Sequence, residues 1–267
     1  MSVIYSTVVL KNDGPIFRII LNVPERLNAL SDQLLVDLGA ALDECASSPE
    51  IRVLVLIGAG RGFCAGADLK TPQPADGLDQ SETLRRRISD QFNPMIKKLL
   101  ALPVPTIAAV NGVAAGGGFG LALACDLVVA AESADFILVF TPQLGLIPDM
   151  GASWHAARNL GRARAMATAF FGNRISAMEA EAQGLIWKAV PDESFAQVID
   201  ETASKLANGP TRAYVANRHA LDRAHTQSLH DQLDLEAEIQ PTLLMTEDFA
   251  EGQRAFIEKR KPVFKGR

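Results

Sequence analysis

The chain has 267 residues, 48% of them hydrophobic and 21% charged, with a formal net charge of −5 at pH 7. That length buries a full core in one large domain, with or without a small appendage, and the acidic balance excludes the basic footprint of a nucleic-acid binder. Residues 1–10 lack the charged-then-apolar pattern of an export signal, and the apolar stretch 107–131 is interrupted by Asn111 and Asp126, leaving too short an interval to cross a bilayer, so a cytoplasmic protein with no membrane contact is expected.

Residues 3–10 and 16–21, separated by Asn12-Asp13-Gly14, read as a β-hairpin. Ser31 then caps a helix whose inner face carries Leu34, Leu35, Leu38, Ala41, Leu42 and Cys45. The continuous apolar run 53–57 is a buried strand, and it feeds the glycine turn Gly58-Ala-Gly-Arg-Gly-Phe-Cys-Ala-Gly-Ala-Asp-Leu. Residues 71–81 are rich in Pro, Asp and Gly and read as a mobile loop. A helix over 81–102 follows, with Phe92, Ile96, Leu99 and Leu100 inward and Arg85-Arg86-Arg87 in solvent, and Pro103-Val-Pro105 ends it.

The strand 106–110 leads into Asn111-Gly-Val-Ala-Ala-Gly-Gly-Gly118 and then an Ala/Leu-rich helix. Three successive glycines permit positive φ and leave no Cβ between peptide N–H groups and a ligand. Where such a turn opens a helix, orphan N–H groups and the positive end of the dipole address one spot, suited to an anion or a developing oxyanion. A dinucleotide fingerprint is excluded, because Leu121 and Phe63 stand where its third glycine belongs, and no Gly-Lys exists for a phosphate loop. Close helix–strand packing without a ligand is the alternative. If the N–H groups of Ala67 and Gly117 converge on one oxygen, each donor is worth about 2.7–4 kcal/mol in a transition state.

Strands at 127–131 and 136–139, with intervening helices, support a repeated ββα build. The turn Gly145-Leu-Ile-Pro-Asp-Met-Gly151 opens a helix carrying Trp154; helices over 162–171 and 176–183 and a strand over 185–190 come next. From residue 195 the pattern is almost wholly helical without strand partners, which divides the chain into a core of residues 1–194 and a helical region of residues 195–267. Cys45, Cys64 and Cys125 are scattered, and His155, His219, His225 and His230 lack ligand spacing, so reduced thiols, surface or packing histidines and no metal are expected.

Phe63-Cys-Ala-Gly-Ala-Asp-Leu-Lys70, the segment from Asn111 to Gly118 and the turn from Gly145 to Gly151, in this order and spacing, resemble the crotonase family, also called the enoyl-CoA hydratase/isomerase family. The likeness covers nearly the whole chain. It implies an α/β spiral of repeated ββα units, a C-terminal helical trimerisation region, and a homotrimer or homohexamer. It also implies an acyl-CoA thioester whose enolate is held by the N–H groups of Ala67 and Gly117, with coenzyme A entering as part of the substrate and no separate cofactor. Arg26 and Leu27 would run beside the CoA, and Ala65, Asp68, Leu69, Lys70 and Gly116 would contribute to the substrate site, with the mobile loop bordering the acyl pocket. Phe256 and Lys259 would reach the CoA of an adjacent subunit; the basic tail Lys259-Arg-Lys261 either attracts phosphates or is simply solvated.

Hydratases of this family use two glutamates, and at the matching positions this chain has Gly120 and Thr141. Without a carboxylate pair, activation of water and delivery of its proton lack their groups. In the Δ3,Δ2-enoyl-CoA isomerase branch the acid/base lies on the turn matching Ile147-Pro-Asp-Met, which makes Asp149 the candidate; its alternative role is N-cap of the following helix. Its apolar neighbours Leu146, Ile147, Pro148 and Met150 should raise its pKa. The segments around Gly145, Gly161 and Gly184 look most like the phenylacetate-pathway isomerases, with Ala152 departing from their usual glycine, and Gly120 should leave space for a bulky acyl group. A Ser-His-Asp hydrolase finds no distinctive triplet; a catalytically silent acyl-CoA binder is the non-enzyme alternative.

Overall fold

A computed structural model describes residues 5–68 and 79–267. The start of the first expected strand, Leu69, Lys70 and most of the expected loop 71–81 lie outside the described residues.

The hairpin pairs β1 (Val8–Asp13) with β2 (Ile16–Leu21) in antiparallel register, Asp13 opposite Ile16. Ser31 caps α1 (Asp32–Ser47), its hydroxyl accepting from the Leu34 N–H at 3.2 Å. The chain then alternates between two sheets. β3 (Val53–Gly58), β5 (Thr106–Val110) and β7 (Leu127–Ala131) lie parallel beside β2, while their successors β4 (Gly62–Cys64), β6 (Val113–Ala115) and β8 (Asp135–Ile137) form a second, smaller sheet. Each strand pair is followed by helix: α2 (Gln80–Arg87) and α3 (Asn93–Leu100), then α4 (Gly117–Leu123), then α5 (Ala152–Phe171), which gives the expected ββα spiral. β9 (Ile175–Ser176), α6 (Ala177–Ala182) and β10 (Lys188–Val190) complete the two sheets.

The parallel strands are buried on both faces, which is why they read as unbroken apolar runs. Leu54 and Leu56 of β3 point into the main core between the sheets and α1. Val53 and Val55 point the other way, with Ile107, Ala109 and Val129, onto Phe195, Ile199 and Ala203 of α7 (Asp192–Ala207). The helix at the expected division therefore begins at Asp192 and is a layer of the core, since each fully buried Ile or Phe is worth ~1.5–3 kcal/mol.

The helix expected over 81–102 is interrupted by a wide π turn, Ile88–Phe92. Pro94 has no N–H to donate four residues back, so the ladder widens there. Phe92, Ile96 and Leu99 point inward as expected; Met95 joins them and Leu100 is exposed.

α8 (Thr211–Ala224), α9 (Leu229–Leu244) and α10 (Glu247–Ile257) bury almost none of their apolar side chains. Leu229 is 73% and Phe256 84% exposed. Arg218 ties α8 to the core: its guanidinium donates to both Asp126 carboxylate oxygens and to the carbonyls of Leu100, Leu102 and Val104. The C-terminal tail is held by Asp248, which accepts from the N–H groups of Lys265 and Gly266, and by Arg52, which donates to the Phe264 carbonyl.

Candidate active site

Two glycine turns meet at the end of the small sheet. Gly66 has φ +88° and Gly116 has φ +55°, conformations that an L side chain resists. A Cβ on Gly66 would lie 2.7 Å from the Ala115 carbonyl oxygen and 2.9 Å from the Gly117 nitrogen, so the turns touch backbone to backbone.

Each turn presents one N–H. Leu30 pairs with Ala67 in a parallel bridge, its N–H donating to the Gly66 carbonyl at 2.8 Å and its carbonyl accepting from Asp68 N–H at 3.2 Å. That pairing turns the N–H of Ala67 away from Leu30. Gly117 is the first residue of α4, so its N–H has no intrahelical acceptor. Gly116 differs: its N–H is spent on the Ile137 carbonyl at 2.9 Å, so it shapes the turn rather than donating into it.

Two asparagine side chains hold these turns in place. The fully buried Asn28 accepts from Val23 N–H and donates to the carbonyls of Ala59 and Gly62. Asn111 accepts from Gly58 N–H and donates to the Gly60 carbonyl, locking the first glycine turn to the second. Asn111 was visible as the head of the Asn-Gly pair; Asn28, with φ +55°, had no signal beyond the known tolerance of Asn for that region.

The turn bearing Asp149 leaves a second π turn, Phe140–Leu144, and reaches α5 through Met150 at φ +50° and Gly151 at φ +78°. Met150 is buried and lies across the start of α4: a Cβ on Gly117 would meet its sulfur at 2.5 Å, and one on Gly120 would meet its carbonyl oxygen at 2.5 Å. This contact packs the residue that follows Asp149 along the first turn of α4. It also corrects the expectation for Gly120. The glycine does not open space for an acyl group, because the Met150 backbone fills it; a glutamate there would require the whole turn to move.

Asp149 is half-buried. Burial pushes its carboxyl up to about 6, against lowering by its own backbone N–H and by the positive charge of Arg87. The side chain does not cap α5, whose N-cap is Gly151 with no side-chain bond, although the Asp149 carbonyl accepts from Ala152 N–H at 2.9 Å. Thr141, at the other glutamate position, donates its hydroxyl to the Leu146 carbonyl at 2.9 Å. Asp149 thus supplies a carboxylate that the two glutamate positions do not.

Around this centre, Arg26 pairs with Asp68 at 2.7 Å, and Leu27 packs on Gly62 while its carbonyl accepts from Ala65 N–H. These contacts brace the loop that carries Ala67. Leu69 and Lys70 lie outside the described residues. Phe256 and Lys259 are exposed at the end of α10. Within the basic tail, Arg260 is already engaged by Glu251 and Glu258, leaving Lys259 and Lys261 as its cations for an anion. Cys64, beside the oxyanion turns, is buried with its thiol pushed up to about 12, unsuited to nucleophilic attack at neutral pH. Burial pushes His155 down to about 4, aided by Arg158, and its ring packs edge-on against Trp154 at 4.8 Å.

The arginine run 85–87 departs from expectation at its last member. Arg85 and Arg86 are exposed partners of Glu82, but the Arg87 side chain is only 19% exposed and pairs with Asp32 at 3.2 Å.

Among the described residues no helix is long and apolar enough to cross a membrane. The profile of the enoyl-CoA hydratase/isomerase family matches residues 11–267. The 1,2-epoxyphenylacetyl-CoA isomerase of Escherichia coli (strain K12) is 43% identical over 247 residues, covering 92% of this chain and 94% of that protein. A Rhodobacter capsulatus protein named "Probable enoyl-CoA hydratase" is also 43% identical, over 249 residues, 93% of this chain and 94% of its own. The crystal structure of an enoyl-CoA hydratase from Bacillus anthracis superposes with a TM-score of 0.89 at 35% identity, covering 98% of this chain and 100% of that chain. With the ββα spiral, the paired glycine turns and this match over nearly its full length, the chain belongs to the enoyl-CoA hydratase/isomerase, or crotonase, family of enzymes.

Proposed function

We propose that the protein is an acyl-CoA isomerase that moves a double bond, or opens a ring epoxide, through a thioester enolate. The observation that supports this reading is a half-buried Asp149 whose chain neighbour Met150 packs against Gly117, while the two hydratase glutamate positions hold Gly120, occluded by Met150, and Thr141, bonded to its own turn. One carboxylate suffices for isomerisation. Asp149 takes a proton from C2 of a 3-enoyl thioester, the electrons move onto the thioester oxygen between the N–H groups of Ala67 and Gly117, and Asp149 returns the proton at C4. A carboxyl titrating near 6 is ionised at neutral pH and still a better base than an ordinary aspartate.

Coenzyme A enters as the carrier of the acyl group, so no separate cofactor is required. The exposed apolar side chains of α8 to α10, Leu221, Leu229, Leu233 and Phe256 among them, support a homotrimer or homohexamer in which Phe256 and Lys259 reach a neighbour's CoA. A cytoplasmic location fits the proposed thioester chemistry.

The relative named as a hydratase, equal in identity to the isomerase, favours hydration as the second reading. A substrate panel separates the two. Purified protein should convert 3-enoyl-CoAs, or the epoxyphenylacetyl thioester, at enzymatic rates and hydrate crotonyl-CoA weakly. Rapid crotonyl-CoA hydration with no 3-enoyl turnover would overturn the isomerase assignment.

A further inference from the structure

Gly117 has no Cβ, and the space that a Cβ would take is filled by its neighbours. The Met150 sulfur lies 2.5 Å from that point, Leu30 Cδ1 3.2 Å and the Cα of Gly66 3.7 Å. All three belong to segments that build the site. Leu30 brackets Ala67 with its backbone bonds, Gly66 precedes Ala67 in the other glycine turn, and Met150 follows Asp149. The Leu30 and Met150 side chains are both buried.

We propose that Met150 is a positioning residue: its side chain, seated with that of Leu30 in the socket left by the missing Cβ of Gly117, holds the two oxyanion-donor turns and the Asp149 turn in one register. This rests on the reading of Ala67 and Gly117 as oxyanion donors and of Asp149 as the acid/base.

A close-packed interior transmits a displacement instead of absorbing it. The main chain of Met150 is fixed as well, its carbonyl oxygen 2.5 Å from the Cβ position of Gly120 further along α4. Met150 therefore meets α4 at two points, side chain on Gly117 and carbonyl on Gly120, and the turn cannot slide along the helix without losing one of them. Its φ of +50° is disfavoured for any residue with a Cβ, and such a conformation persists where surrounding contacts over-determine it. An unbranched, polarizable thioether fills a gap of this irregular shape. Truncation to alanine empties the point where the segments meet, and the turns relax toward one another only in part. A misplacement of about 1 Å in a catalytic constellation costs on the order of 10²-fold in rate.

The test uses the full-length protein with Met150→Ala, Met150→Leu and, as an equal truncation elsewhere in the same core, Met95→Ala. Two quantities are read well below the melting temperature. One is kcat and KM for a 3-enoyl-CoA. The other is the carbonyl stretch of bound butanoyl-CoA labelled with carbon-13 at C1, a saturated thioester with no double bond to move, whose fall in frequency on binding reports the alignment of the oxyanion donors. In Met150→Ala kcat should drop ~10²-fold with KM held, and the carbonyl shift should shrink. Met150→Leu places a carbon at the δ position of the sulfur and should keep both near wild type. Met95→Ala should lose stability and keep kcat.

Gly117→Ala completes a double-mutant cycle. Its methyl meets the sulfur when Met150 is present and enters vacated space in Met150→Ala, so the double variant should lose less activity than the product of the two single losses. Multiplicative losses, a wild-type kcat and carbonyl shift in Met150→Ala, an equal loss of kcat in Met95→Ala, or a Met150→Leu as impaired as Met150→Ala would each overturn the proposal. If Met150→Ala does not fold, Gly117→Ala decides by itself: it keeps its N–H and drives a methyl against the sulfur, so an unmoved carbonyl shift rejects the socket. The carbonyl measurement needs no turnover. A wild type that shifts the carbonyl and converts no 3-enoyl-CoA defeats the isomerase reading while the band still reports on Met150; an active enzyme whose band is unmoved in Met150→Ala defeats this proposal alone.

Discussion

In the proposed mechanism the turns at Gly66–Ala67 and Gly116–Gly117 carry their chemistry in peptide N–H groups, whereas the turn over residues 145–151 carries it in the side chain of Asp149, and the two constructions fail in different ways. In the first, the active groups cannot be deleted by mutation and are lost only when the backbone moves. In the second, one substitution removes the reacting group and leaves the backbone where it was. Fold and donor geometry are therefore inseparable in one half of the site and separable in the other.

The largest effect should come from adding one carbon to the backbone half. Gly66→Ala combines φ +88° with a Cβ 2.7 Å from the Ala115 carbonyl oxygen, and neither neighbour is a side chain that can swing aside. The strained φ alone costs roughly 1–2 kcal/mol, and relief of the overlap must separate Ala67 from Gly117. Turnover should fall by at least ~10²-fold, the scale for losing one oxyanion donor, together with the melting temperature. Wild-type turnover in Gly66→Ala, measured with a melting curve on the same preparation, would break the claim that the two turns act as one unit.

Asp149→Asn should show the opposite pairing of rate and stability. Turnover should drop ~10²–10⁴-fold, as for other general acid/base deletions, with thioester affinity little changed. The carboxyl titrates near 6 in the fold against 3.8 ordinarily, so the folded state binds the proton more tightly than the unfolded chain. Ionising it on the way to neutral pH costs the fold up to about 3 kcal/mol at ~1.4 kcal/mol per unit. The asparagine variant should therefore be the more stable protein above pH 6, with the difference vanishing as pH falls below 3.8. Wild-type turnover should rise with pH through the same region. Denaturant melts of both proteins at pH 4 and pH 7.5 check the sign; equal stability at both would mean that the carboxylate is not desolvated.

The backbone half of the site was legible in the sequence and the side-chain half only partly so. A turn that needs positive φ and close approach is written in the identity of its glycines, hence the weight carried by Gly66, Gly116 and Gly117. Buried strands such as β3 declare themselves because both faces are apolar. Asp149 could be named, and its raised pKa anticipated from its apolar neighbours. Met150 could not be singled out, because nothing in a methionine codon position marks a left-handed backbone or the packing of its carbonyl on Gly120. Arg87 was hidden in a run of three arginines; helical periodicity tells which positions share a face, and a π turn just beyond it alters what that face meets. α7 was assigned to the partnerless helices because apolar spacing shows that a face is buried and not which sheet buries it.

The smallest effect sharpens the comparison from within the side-chain half. Thr141 occupies a position that the family resemblance assigns to the substrate site, yet its hydroxyl donates to the Leu146 carbonyl three residues before Asp149. In Thr141→Val the shape is nearly kept and this bond is lost, a change worth roughly 0.5–1.5 kcal/mol. Should all of it appear in the position of the Asp149 turn, kcat falls about 2- to 12-fold, since each 1.36 kcal/mol is tenfold in rate. KM should stay put, because a residue that only braces the turn makes no contact with the acyl chain. A Thr141 that lines the acyl pocket predicts another pattern: the added methyl surface would tighten binding of longer 3-enoyl-CoAs, lowering KM with chain length while kcat holds. Steady-state kinetics across a chain-length series separates the two. A KM that changes with chain length, with kcat unaltered, would move Thr141 from the turn's support to its substrate-facing wall.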